Sequence, residues 1–249
     1  MDAEALRDFV DKAGFIFRGR LLERKADEDH AAASGAGETV AAHIEEVLRS
    51  TEAMSGLAGK NVVVVTQHAE ALRGQHSPIL FTQCLSVGQH LLVREIGHVA
   101  ASVETTRQIA EAVREAEERP LRERIAAASL IVAGEVAESR ALEHEFPPKS
   151  EHDPLWWVAR VALASVLKGR KPRDPVEVVF ANSDDHVWFK SPKLHRELRG
   201  VFLLHRMTEE ETPPGAPRGA FMAENPLDFL PEERRGEAER MLDGGTGDR

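Results

Sequence analysis

Leu6 to Glu23 reads LRDFVDKAGFIFRGRLLE, and Leu121 to Glu138, 115 positions further on, reads LRERIAAASLIVAGEVAE. Laid over one another without a gap, Leu6 meets Leu121, Arg7 meets Arg122, Val10 meets Ile125, Ala13 meets Ala128, Ile16 meets Ile131 and Gly19 meets Gly134. Each copy is a short amphipathic helical run, then an apolar strand holding a glycine, then mixed polar residues. A glycine inside a strand marks a bulge, a sharp bend or a close backbone approach. A chain that opens two segments on the same helix-and-strand pattern builds one small fold twice.

The repeat continues. In the first copy a charged and then Ala/Gly/Ser-rich loop over 24–38 leads to TVAAHIEEVLRS, where Val40, Ala42 and Ile44 alternate. GKNVVVVTQ follows, β-branched throughout and expected to be buried on both faces. ILFTQCLSVGQHLLVREIGHV supplies one or two more strands. In the second copy the loop ALEHEFPPKSEHDP leads to LWWVARVALASVLKG, KPRDPVEVVFANS and VWFKSPKLHRELRGVFLLHRM. The last segment aligns Phe189 with Phe81, Gly200 with Gly88 and Leu203–Arg206 with Leu91–Arg94. The spacing between copies moves from 115 to 119, 114, 108 and 112, and each change falls in a loop, where insertions are tolerated.

Glu104 to Ala128 is helical, with Ile109, Ala112, Val113 and Ala116 on one face, and Pro120 is expected to interrupt it and start a second short helix. After Arg206 comes a polar Pro/Gly linker, then FMAENPLDFLPEERRGEAERML with Phe221, Met222, Leu227, Phe229 and Leu230 as anchors and a charged helix after Pro231. DGGTGDR is expected to be without fixed structure. The reading is therefore a mainly β chain with helices. Residues 1–103 form a first barrel with its N-terminal helix, 104–120 a helical connector, 121–211 a second barrel and 212–249 a Pro/Gly-rich acidic tail.

Four or five short strands, a glycine in the first and a long second strand ending in VLKG point to tandem Greek-key barrels of OB type. GEV, WWVARVALASVLKG, VEVVF and GVFLLHR together resemble the netrin-like domain family, which includes the tissue inhibitors of metalloproteinases. The resemblance covers residues 130–206 best and 15–95 less closely. It implies the fold, and a protease-inhibitor-like module as one alternative function. The family's inhibitory activity depends on an N-terminal cysteine; position 1 here is Met, and one cysteine, Cys84, forms no intrachain disulfide. No inhibitory residue has a counterpart to carry over.

Composition narrows the chemistry. A single cysteine excludes Cys-based structural zinc and fits a reducing compartment. With an acidic N-terminus and no long apolar run, the expected location is cytoplasmic, away from membranes. The net charge of −10 argues against generic phosphate binding, although residues 129–206 are near neutral. Eleven histidines invite a metal. Yet His68, His76, His90 and His98 have no tight ligand spacing, and EHE at 143–145, EHD at 151–153 and DDH at 184–186 read as solvated loops. Cys84 beside apolar residues reads as a small buried hydrophobe. With no nucleophile elbow and no glycine-rich phosphate loop, the expectation is no catalytic residue, no metal and no cofactor.

What the copies do not share is aromatic and basic. All three tryptophans, Trp156, Trp157 and Trp188, belong to the second copy, with KGRKPR over 168–173 and KSPKLHRELR over 190–199. Trp156 and Trp157 are neighbours in a strand, so they face opposite sides and cannot both be core. The candidate binding surface is Trp156, Trp157, Lys168, Arg170, Lys171, Arg173, Trp188, Lys190, Lys193, Arg196 and Arg199. A scaffold that binds a protein partner is the leading expectation. A basic groove with aromatic platforms makes single-stranded nucleic acid the alternative.

Overall fold

In the computed structural model each half of the chain closes five strands into a barrel. The structure describes residues 2–25, 37–86, 91–143, 152–172 and 175–244. The chain divides into two compact units, Met1–Glu118 and Arg119–Arg249.

In the first unit α1 (Ala3–Lys12) is capped by the Asp2 carboxylate, which accepts the Ala5 N–H at 2.8 Å. β1 (Phe15–Lys25), β2 (Glu38–Arg49), β3 (Asn61–Thr66), β4 (Ile79–Ser86) and β5 (Leu92–Val99) close in the order β1-β2-β3-β5-β4, with the short helix α2 (Ala69–Arg73) between β3 and β4. Among the described residues of this unit only the β3–β5 ladder is parallel. Strand alternation sends Phe15 and Phe17 inward with Ala42, Ile44, Val62, Val64 and Val93. Ile16 faces the other way, onto Leu6, Val10, Ile79, Phe81 and Ile109.

The second unit repeats this with β6 (Leu130–Ala141), β7 (Trp156–Lys168), β8 (Val176–Ala181), β9 (Arg199–Arg206) and β10 (Phe221–Met222). β10 pairs parallel with β8 and antiparallel with β9, which closes the ring. β11 (Phe229–Pro231) adds to β9, and α4 (Arg235–Gly244) follows. Leu130 and Val132 point inward, while Ile131 and Ala133 meet Leu121, Ile125 and Ala128. The expected pairs of the repeat thus stand in matching clusters.

The registers agree ladder by ladder. Gly19 lies opposite Ile44 as Gly134 lies opposite Leu163, and each first strand has bulges before and after the same two residues. Val40 meets Val64 as Ala159 meets Val178. An added Cβ on Gly19 would stand 2.8 Å from His43 O, and one on Gly134 would stand 2.4 Å from the equivalent Ala162 O. The repeated glycine exists because a carbonyl of the second strand passes under it.

Three expectations are corrected. β9 takes the place of β4, since Leu203 faces Ile131 as Phe81 faces Ile16. β10 takes that of β5, since Phe221 faces Val178 as Val93 faces Val64. GVFLLHR looks like HLLVREI because both are apolar, but pairing decides the role, and the closing strand comes only after the linker. Phe221 and Met222 therefore belong to the barrel, not to a tail beginning at 212. Pro120 does not break the connector: α3 (Val103–Ala127) is one helix with Pro120 inside it. Proline removes one backbone hydrogen bond, and burial of Leu121 and Ile125 on one side and of Ile109, Ala112 and Val113 on the other offsets the loss. Cys84 is exposed rather than buried.

The loops at 26–36 and 144–151, Gly88 and His90, and the end at 245–249 lie outside the described residues. No described helix is long and apolar enough to cross a membrane.

Candidate functional site

β7 carries Trp156 and Trp157 to opposite faces of its sheet. Trp157 packs against the barrel interior beside Phe180, with ring centroids 6.4 Å apart. Trp156 lies outside, on the cluster of Leu142, Val158, Val179 and Met222, with Trp188 edge-on at 5.8 Å. Trp188 belongs to the turn that follows β8, and its Nε1 donates to His152 O at 2.9 Å. Lys193 ties this turn down: its Nζ donates to the carbonyls of Ala181, Ser183 and Trp188 at 2.8, 2.7 and 3.0 Å. Burial lowers the Lys193 pKa, and Asp184 and Asp185 work against that.

The basic residues separate into two groups. Lys168 donates to the carbonyls of Ile125 and Ala126, both at 2.7 Å, and so closes the C-terminus of α3. Arg199 pairs with Glu135 at 2.7 Å. With Lys193 these are committed within the unit. Arg170, Lys171, Lys190 and Arg196 are exposed, Lys190 lying 5.5 Å above the Phe189 ring. Arg173 lies outside the described residues. Around the same turn stand three exposed apolar side chains, Leu155 (48%), Val187 (52%) and Phe189 (56%). Leu155 is joined to it by Leu155 N to Ser183 Oγ at 2.7 Å and Asn182 N to Leu155 O at 2.8 Å.

The first barrel carries different chemistry. β3 ends at Thr66, β5 runs parallel beside it, and their pairing brings Thr66 next to Glu95. Thr66 Oγ1 donates to Glu95 Oε2 at 2.5 Å and accepts the His68 N–H at 2.8 Å. His68 Nδ1 is 3.2 Å from Glu95 Oε2, and His98 Nδ1 is 2.8 Å from Glu95 Oε1. The Glu95 side chain is 1% exposed and that of His68 59%. Burial acts to raise the Glu95 pKa, but hydrogen bonds from Thr66, His98 and His68 outweigh it and hold the carboxyl below its ordinary value. Thr66, His68 and Glu95 line a groove of about 410 Å³.

A second convergence joins two triplets read as separate loops: His152 from one, Asp185 and His186 from the other. The two imidazoles meet edge to face at 4.7 Å, and Asp185 Oδ1 accepts the Val187 N–H at 2.8 Å. Spacing along the chain announced neither group. His68 and His98 are joined only by the β3–β5 ladder, and His152 meets His186 only where β7 and β8 lie side by side. Histidines close to the ends of β3 and β5, and in the segments before β7 and after β8, were the available signal.

The tandem OB-like barrels are compatible with a binding or scaffold module, and the surfaces above are where the two copies diverge. Neither the known protein-family models nor the curated proteins give a match to this chain.

Proposed function

We propose that the chain is a binding module that docks a protein partner on its second barrel, through the turn 182–193 and the strand entry at Leu155. The observation that carries this is that Val187 and Phe189, on a turn held by Lys193 and Trp188, and Leu155, hydrogen-bonded to the start of that turn, are all about half exposed. Large apolar side chains grouped on a pre-ordered turn, with a charged rim, have the anatomy of a protein interface. Pre-ordering matters because little conformational entropy is then lost on docking. Lys190 and Arg196 supply a basic rim that suits a partner with an apolar centre and acidic flanks.

A photo-crosslinking residue at Phe189 in the native host, followed by reconstitution with the purified partner, tests the reading. Val187→Asp and Phe189→Asp are expected to weaken the reconstituted complex at least ~10-fold each, in the range of interface hot spots. Loss of neither, together with salt-sensitive binding of single-stranded oligonucleotides, would move the assignment to nucleic acid.

A further inference from the structure

The two barrels share their registers, so any position in one can be compared with its counterpart in the other. Val65 pairs with Arg94 where Val179 pairs with Met222. One residue further on, Thr66 and Glu95 therefore stand where the second copy has Phe180 and Ala223. Both of those are core residues, 1% and 0% exposed. The barrel closes at this end with hydrocarbon in one copy and with a buried carboxylate in the other, so the fold itself does not require the carboxylate. Burying an ionised carboxyl is costly unless it is matched by donors or a cation. Here two imidazoles converge on it.

We propose that His68, Glu95 and His98 bind a divalent first-row transition-metal ion. Their ligand atoms all lie within 4.8 Å of one another. The Nδ1-to-carboxylate distances of 3.2 and 2.8 Å both lie a little below the ~3.4 Å edge of a tetrahedron whose metal–ligand bonds are about 2.1 Å. Small side-chain shifts thus open the space for an ion. Two imidazoles and one carboxylate suit zinc and its neighbours rather than calcium or magnesium. His68 is 59% exposed and the groove beside it opens to solvent, which gives the ion an entry and leaves its remaining coordination positions to water. Thr66 holds the carboxylate from behind, the part an outer-shell hydroxyl plays at metal centres. On binding, each Nδ1–H that faces the carboxylate gives way to a nitrogen–metal bond. The proton passes through solvent to Nε2, so the imidazoles stay neutral and the ion cancels the buried negative charge.

The test is metal binding by the full untagged chain. Zn²⁺ affinity is measured by chelator competition, stoichiometry by elemental analysis, and Co²⁺ geometry by its visible d–d bands. One equivalent bound at this site is expected, with His98→Ala and Glu95→Gln each weakening Zn²⁺ more than ~100-fold, beyond the range of an outer-shell loss. His68 is the most exposed ligand, so His68→Ala, expected to weaken binding at least ~10-fold, carries the test should the buried substitutions disturb folding. His186→Ala, in the second unit, is expected to leave this equivalent in place. Absence of tight binding, or binding lost in His186→Ala and kept in His68→Ala and His98→Ala, overturns the proposal.

Discussion

Arg49 and Lys168 perform one task in two places. Each stands at the end of the second strand of its barrel and donates to a carbonyl in the last turn of the helix before the first strand. Arg49 reaches Val10 O, and Lys168 reaches the carbonyls of Ile125 and Ala126. Val10 and Ile125 are themselves equivalent, so the duplication reproduces a cation at a helix C-terminus, where unpaired carbonyls and the helix dipole favour it.

Lys168→Met is accordingly expected to cost about 1–2 kcal/mol of stability, the range of a charge-assisted hydrogen bond with a helix terminus. Denaturant unfolding of the intact chain measures it. Affinity for the docked partner should be unchanged, because the ammonium group is already engaged within its own unit.

Gly134→Ala is expected to be worse tolerated than Gly19→Ala. The new methyl would meet Ala162 O at 2.4 Å in the one case and His43 O at 2.8 Å in the other. A backbone carbonyl in a ladder cannot swing away, so a loss of about 2–3 kcal/mol for Gly134→Ala is the expected scale. Separate thermal transitions of the two units, or hydrogen exchange along β6 and β7, would show where the damage lies.

Asp228 gives stability a pH dependence. Its side chain is 1% exposed, and it accepts from Arg124 Nε and from the N–H groups of Glu224 and Asn225, all at 2.9 Å, with His205 Nε2 3.3 Å away. Burial works to raise its pKa, and the bonds from His205, Arg124 and Asn225 outweigh that, so the folded value lies below the ordinary one. Its contribution is therefore fully present above about pH 4 and is lost as the pH falls further, through the folded value. Asp228→Asn should cost about 3 kcal/mol near neutrality. The gap from the parent chain should narrow as urea midpoints are taken toward pH 3.

Lys193→Met should release the turn that carries Trp188. Three carbonyls lose their donor, and a loss of about 2–3 kcal/mol is expected. A red-shifted, more quenchable tryptophan emission would report the turn's release. If Trp188 stays as shielded as in the parent chain, Lys193 is not what holds it.

How much of this could be read in advance follows the range of the interactions. The pairs Leu6/Leu121, Val10/Ile125 and Ile16/Ile131 were legible because helical and strand periodicities are local, and the spacings of 115, 119 and 114 survive in the observed ladders. The closing strand of the second barrel was not. Phe221–Met222 is two residues long, and no periodicity can mark so short a strand. Lys168 is aligned with Arg49 by the sequence alone, but that both hold a helix terminus shows only in the folded chain. The set of His68, Glu95 and His98 depends on a parallel ladder between β3 and β5, a long-range contact with no local signature.

The late arrival of β10 sets an order on folding during synthesis. The first barrel has all five strands once Val99 is made, whereas β6 to β9 are complete by Arg206 and still lack their closing strand. Until Phe221 and Met222 emerge, β8 and β9 are the open edges of a four-stranded sheet, with unpaired backbone groups that another chain could join. The second half is thus the one exposed to wrong partners while its closing strand is still missing.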